Sequence, residues 1–270
     1  MRIIDDYYLN AASSAQGKTN AIMTSEYIEA AKRNYKVFDV TDIQEYLNSI
    51  ERTSNDIPCT PPFYYTAITY RNEGLSDIFL VENNHDKNHE LNIYLLNKKT
   101  EWQYWGCIIL QFNEDWTPTY KGSTVWIPQE FKDHENLITD ALVKVGVLTM
   151  RILQLLNCKN ISTIEHDGME HLKPRVREHL IKSGKPLPIK HYTIAVTVPG
   201  EKRAIPFSQL IENEQHESKQ ALHVCRGHFA TYTEDRKLFG KLTGTFWIPA
   251  HFKGLPKNGV ITKDYQLKTR

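Results

Sequence analysis

Between Leu137 and Leu156 the chain runs twenty residues with three charged side chains, Asp140, Lys144 and Arg151. Apolar residues recur on nearly every side of a helical projection, which predicts a helix over about Leu137 to Asn157. Three charges in so short a stretch argue against a membrane span. A helix apolar on most sides needs a sheet on one face and more chain on the other. Asp140 and Lys144 stand four apart and mark its wettest edge.

The covering sheet is legible around it. Phe63–Tyr70, Ile78–Val81, Leu91–Leu96 and Trp105–Phe112 are aromatic and β-branched runs separated by short polar loops, and they predict strands. Spacing this tight favours antiparallel meander pairing over helical crossovers. Further strands are expected at His191–Val198, Leu222–Tyr232 and Gly259–Leu267. Residues 1–57 read as a helical N-terminal section, with one helix from Thr24 and another from Asp39, Thr41 and Gln44 having capping-box spacing. Pro58, Pro61 and Pro62 end it. The expected organisation is α+β: an antiparallel sheet packed on a central buried helix. Residues 58–170 would form the core and residues 171–270 a basic, β-rich part sharing it. The acidic run at Glu212–Ser218 is the best candidate for a mobile loop.

One echo links the halves. Trp126-Ile-Pro128-x-x-Phe131-Lys132 is repeated as Trp247-Ile-Pro249-x-x-Phe252-Lys253, each after a glycine. Either the chain carries a degenerate duplication, or one stiff corner was reached twice. In that corner Trp would pack and Pro would end the strand.

Charge divides the chain. Residues 1–170 hold 15 Lys+Arg and 24 Asp+Glu, whereas residues 171–270 hold 18 and 8. An anionic partner for the C-terminal part explains this, and so does docking of the two halves on each other. The first residues contain no apolar h-region, so no secretory signal is expected. The four cysteines lie far apart with no CxxC, which excludes a zinc ribbon and argues against a disulfide framework.

The chemistry-bearing residues concentrate between Leu222 and Gly254. His223, Arg226, His228, Tyr232, Lys241, His251 and Lys253 all fall there. Histidine is the natural acid or base near neutral pH, and Arg and Lys stabilise phosphate. Two histidines with cations are what metal-independent phosphodiester cleavage needs. On a continuous Leu222–Tyr232 strand, Arg226, His228 and Tyr232 would share a face, with His223 opposite. His228 and His251 are then the candidate acid–base pair, with Arg226 and Tyr232 beside them. The bland alternative is a set of strand histidines bonded to carbonyls, with glycines serving turns. A zinc site through His223, His228 and His251 lacks a completing carboxylate or cysteine pattern, so no metal or other cofactor is expected. Lys182, Lys185 and Lys190 form a second basic segment that could face phosphate, or simply be a solvated linker; it lacks P-loop spacing. Glu165-His166-Asp167 reads as a charged loop.

The order of Lys159-Asn160, Gly184-Lys185-Pro186, His223-x-x-Arg226-Gly227-His228-Phe229, Leu238-Phe239-Gly240, Gly244-Thr-x-Trp247-x-Pro-x-His251-x-x-Gly254 and Lys263-Asp-Tyr265 resembles a widespread group of phage- and prophage-encoded proteins. The resemblance covers about residues 150–267 and does not extend to residues 1–60. It implies residence on a virus or mobile element and expression in the cytoplasm of a bacterial host. It carries no catalytic residue with it. Together these readings point to binding of a phosphate-bearing ligand, most simply nucleic acid, with metal-independent RNA cleavage as the sharper version. The alternative is a non-enzymatic factor that binds a host or phage protein, with a structural His/Arg/Trp block. No membrane partner is expected.

Overall fold

The computed structural model describes residues 35–44, 47, 54–72, 75–84, 89–98, 102–169, 172–183, 190–197, 204–206, 221–225, 227–248, 251–253 and 255–260. The expected helix from Thr24, the acidic loop at Glu212–Ser218, Lys185 and Arg226 lie outside these residues. The apolar segment forms helix α1, Glu135–Leu156, entered through a 3-10 turn at Gln129–His134. Its 22 residues make it about 33 Å long at 1.5 Å per residue.

Nine strands form the main sheet: β1 (Lys36–Asp39), β2 (Tyr65–Asn72), β3 (Leu75–Asn84), β4 (Glu90–Lys98), β5 (Trp102–Phe112), β6 (Pro118–Trp126), β7 (Ile161–His166), β8 (His191–Thr197) and β9 (Ala204–Pro206). Their order is β6-β5-β4-β3-β2-β1-β8-β7, with β9 also on β8. Seven strand spacings separate β6 from β7, roughly 34 Å. The helix joining those two edges is therefore as long as the sheet is wide, and it packs on β4, β5 and β7.

Strand alternation makes both faces of the sheet apolar. On β3, Phe79 and Val81 face the helix side, in one cluster with Ile93, Ile108, Leu142, Ile152 and Trp247. Ile78 and Leu80 face the other way, with Val37, Ala67 and Leu96. Gly106 permits the close approach of helix to sheet. Its φ is +151°, and a Cβ there would stand 2.6 Å from the Trp126 carbonyl oxygen and 2.9 Å from Leu142 Cδ1.

The far side of α1 is covered at its C-terminal half by Leu47 and residues 54–60. Arg151 Nη1 donates to the Leu47 carbonyl at 3.2 Å. Gln154 accepts from Ser54 N at 3.1 Å and donates to the carbonyls of Ser54 and of Ile57, the latter at 3.1 Å. Asn157 Nδ2 donates to the Thr60 carbonyl at 2.9 Å. The polar residues of this apolar helix thus tie down backbone that the loop itself cannot satisfy. At the N-terminal half Leu137, Asp140, Val143 and Lys144 are exposed.

The C-terminal part adds β10 (Ala221–Cys225), β11 (His228–Tyr232), β12 (Gly244–Ile248), β13 (His251–Lys253) and β14 (Leu255–Val260). The β11–β12 hairpin sends Trp247, fully buried, into the same core as α1, with Phe229 against its ring edge at 4.9 Å. Asn160 locks it there. Its Nδ2 donates to the Trp247 carbonyl at 2.7 Å and its Oδ1 accepts from Trp247 N at 2.8 Å.

Three expectations are corrected. The sheet is mixed, not antiparallel, because β1 runs parallel to both β2 and β8. The helix expected from Asp39 starts later: Asp39 ends β1, a 3-10 turn follows at Thr41–Ile43, and Gln44 and Leu47 beyond it are helical. There Asp39 Oδ1, not Thr41, accepts from a backbone N–H, that of Thr41 at 3.1 Å. Glu165 and His166 close strand β7, and the basic connector contains helix α2, Pro174–Lys182, with proline at its first turn.

Two outcomes follow. Asn160→Ala leaves the buried N–H and C=O of Trp247 without partners, and should cost about 2–4 kcal/mol in urea unfolding. Asp77 is buried opposite Asn97, which donates to it, and desolvation raises its carboxyl above the usual value. A raised folded-state value penalises the charged form, so Asp77→Asn should stabilise the protein at neutral pH. That gain should vanish as pH falls through the ordinary carboxylate range near ~4, where both states bind the proton.

Candidate nucleic-acid interface

The β11–β12 hairpin carries most of the described C-terminal chemistry. Its register runs His228↔Ile248 to Tyr232↔Gly244. Phe229 and Trp247 face the core, so His228, Ala230 and Tyr232 project from the opposite side. His228 is exposed, and Tyr232 meets Phe246 edge-on at 5.9 Å. Lys159 closes the same side: a Cβ on Gly244 would stand 2.5 Å from Lys159 Cε, and Gly244 has φ +112°. The Lys159 amide donates to the Thr245 carbonyl at 2.9 Å.

Leu222–Tyr232 is not one strand. It divides into β10, paired with β13 and β14, and β11, paired with β12. Cys225 stands opposite His251, and His223 opposite Lys253, at the same offset that pairs His228 with Ile248. The side chain of His251 lies outside the described ones, as does Arg226, so of the expected catalytic group only His228 and Tyr232 are placed.

The turn joining β11 to β12 projects away from the core. Leu238 and Leu242 form a small antiparallel bridge, and Lys241 N donates to the Leu238 carbonyl at 3.1 Å. The two residues between, Phe239 and Gly240, both have positive φ, at 52° and 70°. Arg236, Lys237 and Lys241 are exposed around this tip, with Lys237 ion-paired to Glu234 at 2.8 Å.

Helix α2 is the second basic element. None of its residues is buried, and Lys173, Arg175, His179 and Lys182 are exposed. Arg175, His179 and Lys182 share one side of its projection, with Val176 and Leu180 on another. Lys190 is exposed but bonded to Glu165 at 3.3 Å, which also accepts from the Tyr192 hydroxyl at 3.1 Å. These two donors hold the Glu165 carboxyl below its usual value. On the neighbouring register pair, the rings of His166 and His191 stack at 4.7 Å, and His166 Nε2 contacts Thr193 Oγ1 at 2.9 Å.

Sequence reasoning passed over Arg236, Lys237, Phe239, Arg175, His179, Lys159 and the His166–His191 pair. The last pair arises because His166 closes β7 and His191 opens β8, its antiparallel neighbour. For Phe239 the sequence marked a turn but not that its ring would be bare. Among the described residues no group of three His, Cys, Asp or Glu could hold a metal ion. No helix among them is long and apolar enough to cross a membrane. Comparison with protein-family models, with curated proteins and with solved structures gave no match.

Burial removes three cysteines from consideration as nucleophiles. Cys59, Cys107 and Cys158 are buried free thiols whose pKa is pushed up to about 12 by desolvation. Native protein at pH 8 should give Ellman's reagent at most one thiol, Cys225, and all four once unfolded in urea. Rapid labelling of more than one in the native state would contradict this burial.

Proposed function

We propose that the chain is a phage or mobile-element protein that binds nucleic acid through its C-terminal part. The observation that carries the reading is where the basic surplus lies. Lys173, Arg175, Lys182, Arg236 and Lys241 are exposed on two separate elements, α2 and the β11–β12 tip. Cations consumed in docking acidic and basic halves together would be withdrawn from solvent. Exposed cations on two elements remain available to a polyanion. The anchoring of the hairpin by Trp247 and Asn160 supports the same reading, since a fixed platform loses less entropy on binding.

The reading is of binding rather than cleavage. Paired imidazole catalysis needs two rings converging on one phosphate, whereas the exposed cations of α2 and the hairpin tip serve binding without such a pair. RNA incubated with the protein in EDTA should be recovered at full length. Cleavage that His228→Ala abolishes would restore the catalytic version.

Binding is tested by its salt dependence. Each phosphate contact contributes roughly 0.7–0.9 to the slope of log affinity against log salt. Arg175→Gln with Lys182→Gln, and separately Arg236→Gln with Lys241→Gln, should each flatten that slope by roughly 1–2 and weaken retention of a mixed oligonucleotide pool. An unchanged slope in both double variants would remove these elements from the interface. Absence of any salt-dependent binding by the wild type would end the nucleic-acid reading.

A further inference from the structure

We infer that Phe239, at the tip of the β11–β12 hairpin, is a base-stacking finger that gives the protein a preference for single-stranded over duplex nucleic acid. The inference rests on the nucleic-acid reading above and deepens it. Four observations converge on this residue.

The backbone is the first. Phe239 has φ +52° and Gly240 φ +70°, as in the type I′ turns that favour Asn-Gly or Gly-Gly. An aromatic side chain at the first of these positions costs conformational energy that asparagine or glycine would spare. Phe239 is one of three non-glycine residues with positive φ among those described. The other two, His89 and Trp116, pack their rings against each other at 5.1 Å. Phe239 is the one whose ring gains no such packing in return.

Exposure is the second. Phe239 is 64% exposed and Leu242 nearby 44%. An aromatic side chain held in an unfavourable conformation, and left bare, contributes nothing to the fold that a smaller residue would not.

The third is its setting. Arg236, Lys237 and Lys241 are exposed within three residues of it, so a ring and its flanking cations are presented together. This is the composition that binds single strands: unpaired bases stack on the ring while cations follow the phosphates. A duplex hides its base faces and can use the cations alone. A lipid surface is the less favoured partner, because one phenyl ring offers little apolar area for insertion and Glu234 and Asp235 share the same turn.

Rigidity is the fourth. The tip is set by the Leu238–Leu242 bridge, with N···O distances of 2.8 and 3.0 Å, and the strands behind it are fixed by Trp247. The ring is therefore presented without first having to be ordered.

The experiment measures binding of fluorescent oligothymidylate and of a mixed-sequence duplex by anisotropy, for wild type, Phe239→Ala and Phe239→Trp. Wild type should prefer the single strand. Phe239→Ala should reduce that preference by about tenfold, within the range set by loss of one base stack, with an unchanged salt slope. Phe239→Trp should keep the preference, and its added fluorescence should be quenched by oligothymidylate. Melting temperatures check folding: Phe239→Ala should match wild type, because it removes an exposed ring. A full single-strand preference in Phe239→Ala, or no quenching in Phe239→Trp, would overturn the finger while leaving salt-dependent binding in place. Loss of binding to phosphatidylserine vesicles in Phe239→Ala, with oligonucleotide binding intact, would assign the ring to a membrane instead. A wild type that binds neither nucleic acid overturns both this inference and the reading beneath it.

Discussion

A single asparagine joins the two ends of this fold. Asn160 follows the close of α1 and spends its side chain as if it were a piece of strand, accepting from the Trp247 amide and donating to the Trp247 carbonyl. Its own carbonyl accepts from Thr197 N at 2.7 Å, and Nδ2 reaches the Thr197 carbonyl at 3.2 Å. One residue thus ties the end of the helix, the last turn of β8 and the middle of β12. The two bonds to Trp247 are shielded from water, where an unpaired amide is expensive and a paired one is electrostatically strong. The basic hairpin has a fixed position because this residue and the Trp247 side chain give it one.

The same logic explains why a helix so apolar still carries Arg151, Gln154 and Asn157. They recur every three residues along one side, and they donate to the carbonyls of Leu47, Ile57 and Thr60 in the segment that ends at Thr60, ahead of β2. Pro58 lies in that segment and Pro61 and Pro62 follow it directly, and prolines remove backbone donors and hinder regular pairing. Its carbonyls need partners from elsewhere, and the helix supplies them. Desolvation by this packing lowers the Arg151 pKa, the sign expected for a cation drawn from water. The helix is therefore the hub of two unlike interfaces: a dry one to the sheet through Leu142, Ile152 and Leu153, and a hydrogen-bonded one to the loop.

How much of this the sequence disclosed follows from the range of the interactions. Local patterns gave α1 to within two residues at its start and the β2–β5 meander, because each such element satisfies its own hydrogen bonds or those of its neighbour in sequence. The missed elements depend on distant partners. β1 is four residues long and is held by Thr66–Thr69 and Tyr192, so nothing local marks Lys36-Val-Phe-Asp as a strand. In α2 the proline at the first turn was a signal of helix start, but a helix with no buried residue lacks the periodic apolar stripe that a reader seeks. For the candidate interface, composition disclosed the charge. Whether a charged or aromatic side chain is spent on the core or left to solvent is a tertiary fact.

The Trp-Ile-Pro echo shows the same limit from the other side. Both copies end a strand at the corner, but the surroundings send their tryptophans to opposite fates. Trp126 pairs in register with Cys107, stacks on Tyr104 at 5.9 Å and is 45% exposed. Trp247 pairs with Phe229 and is fully buried. After Pro128 the chain turns into a 3-10 helix that leads to α1, whereas beyond Ile248 strand pairing resumes at His251. The corner is thus a local device that fixes where a strand stops and leaves open which way its tryptophan faces. That direction is set by pairing parity against the neighbouring strand. In the second copy it places the indole in the core shared with α1, while the turn of the hairpin stays in solvent. The exposed cations and Phe239 of that turn can serve a partner because the hairpin's other face has already committed its largest side chain to the core.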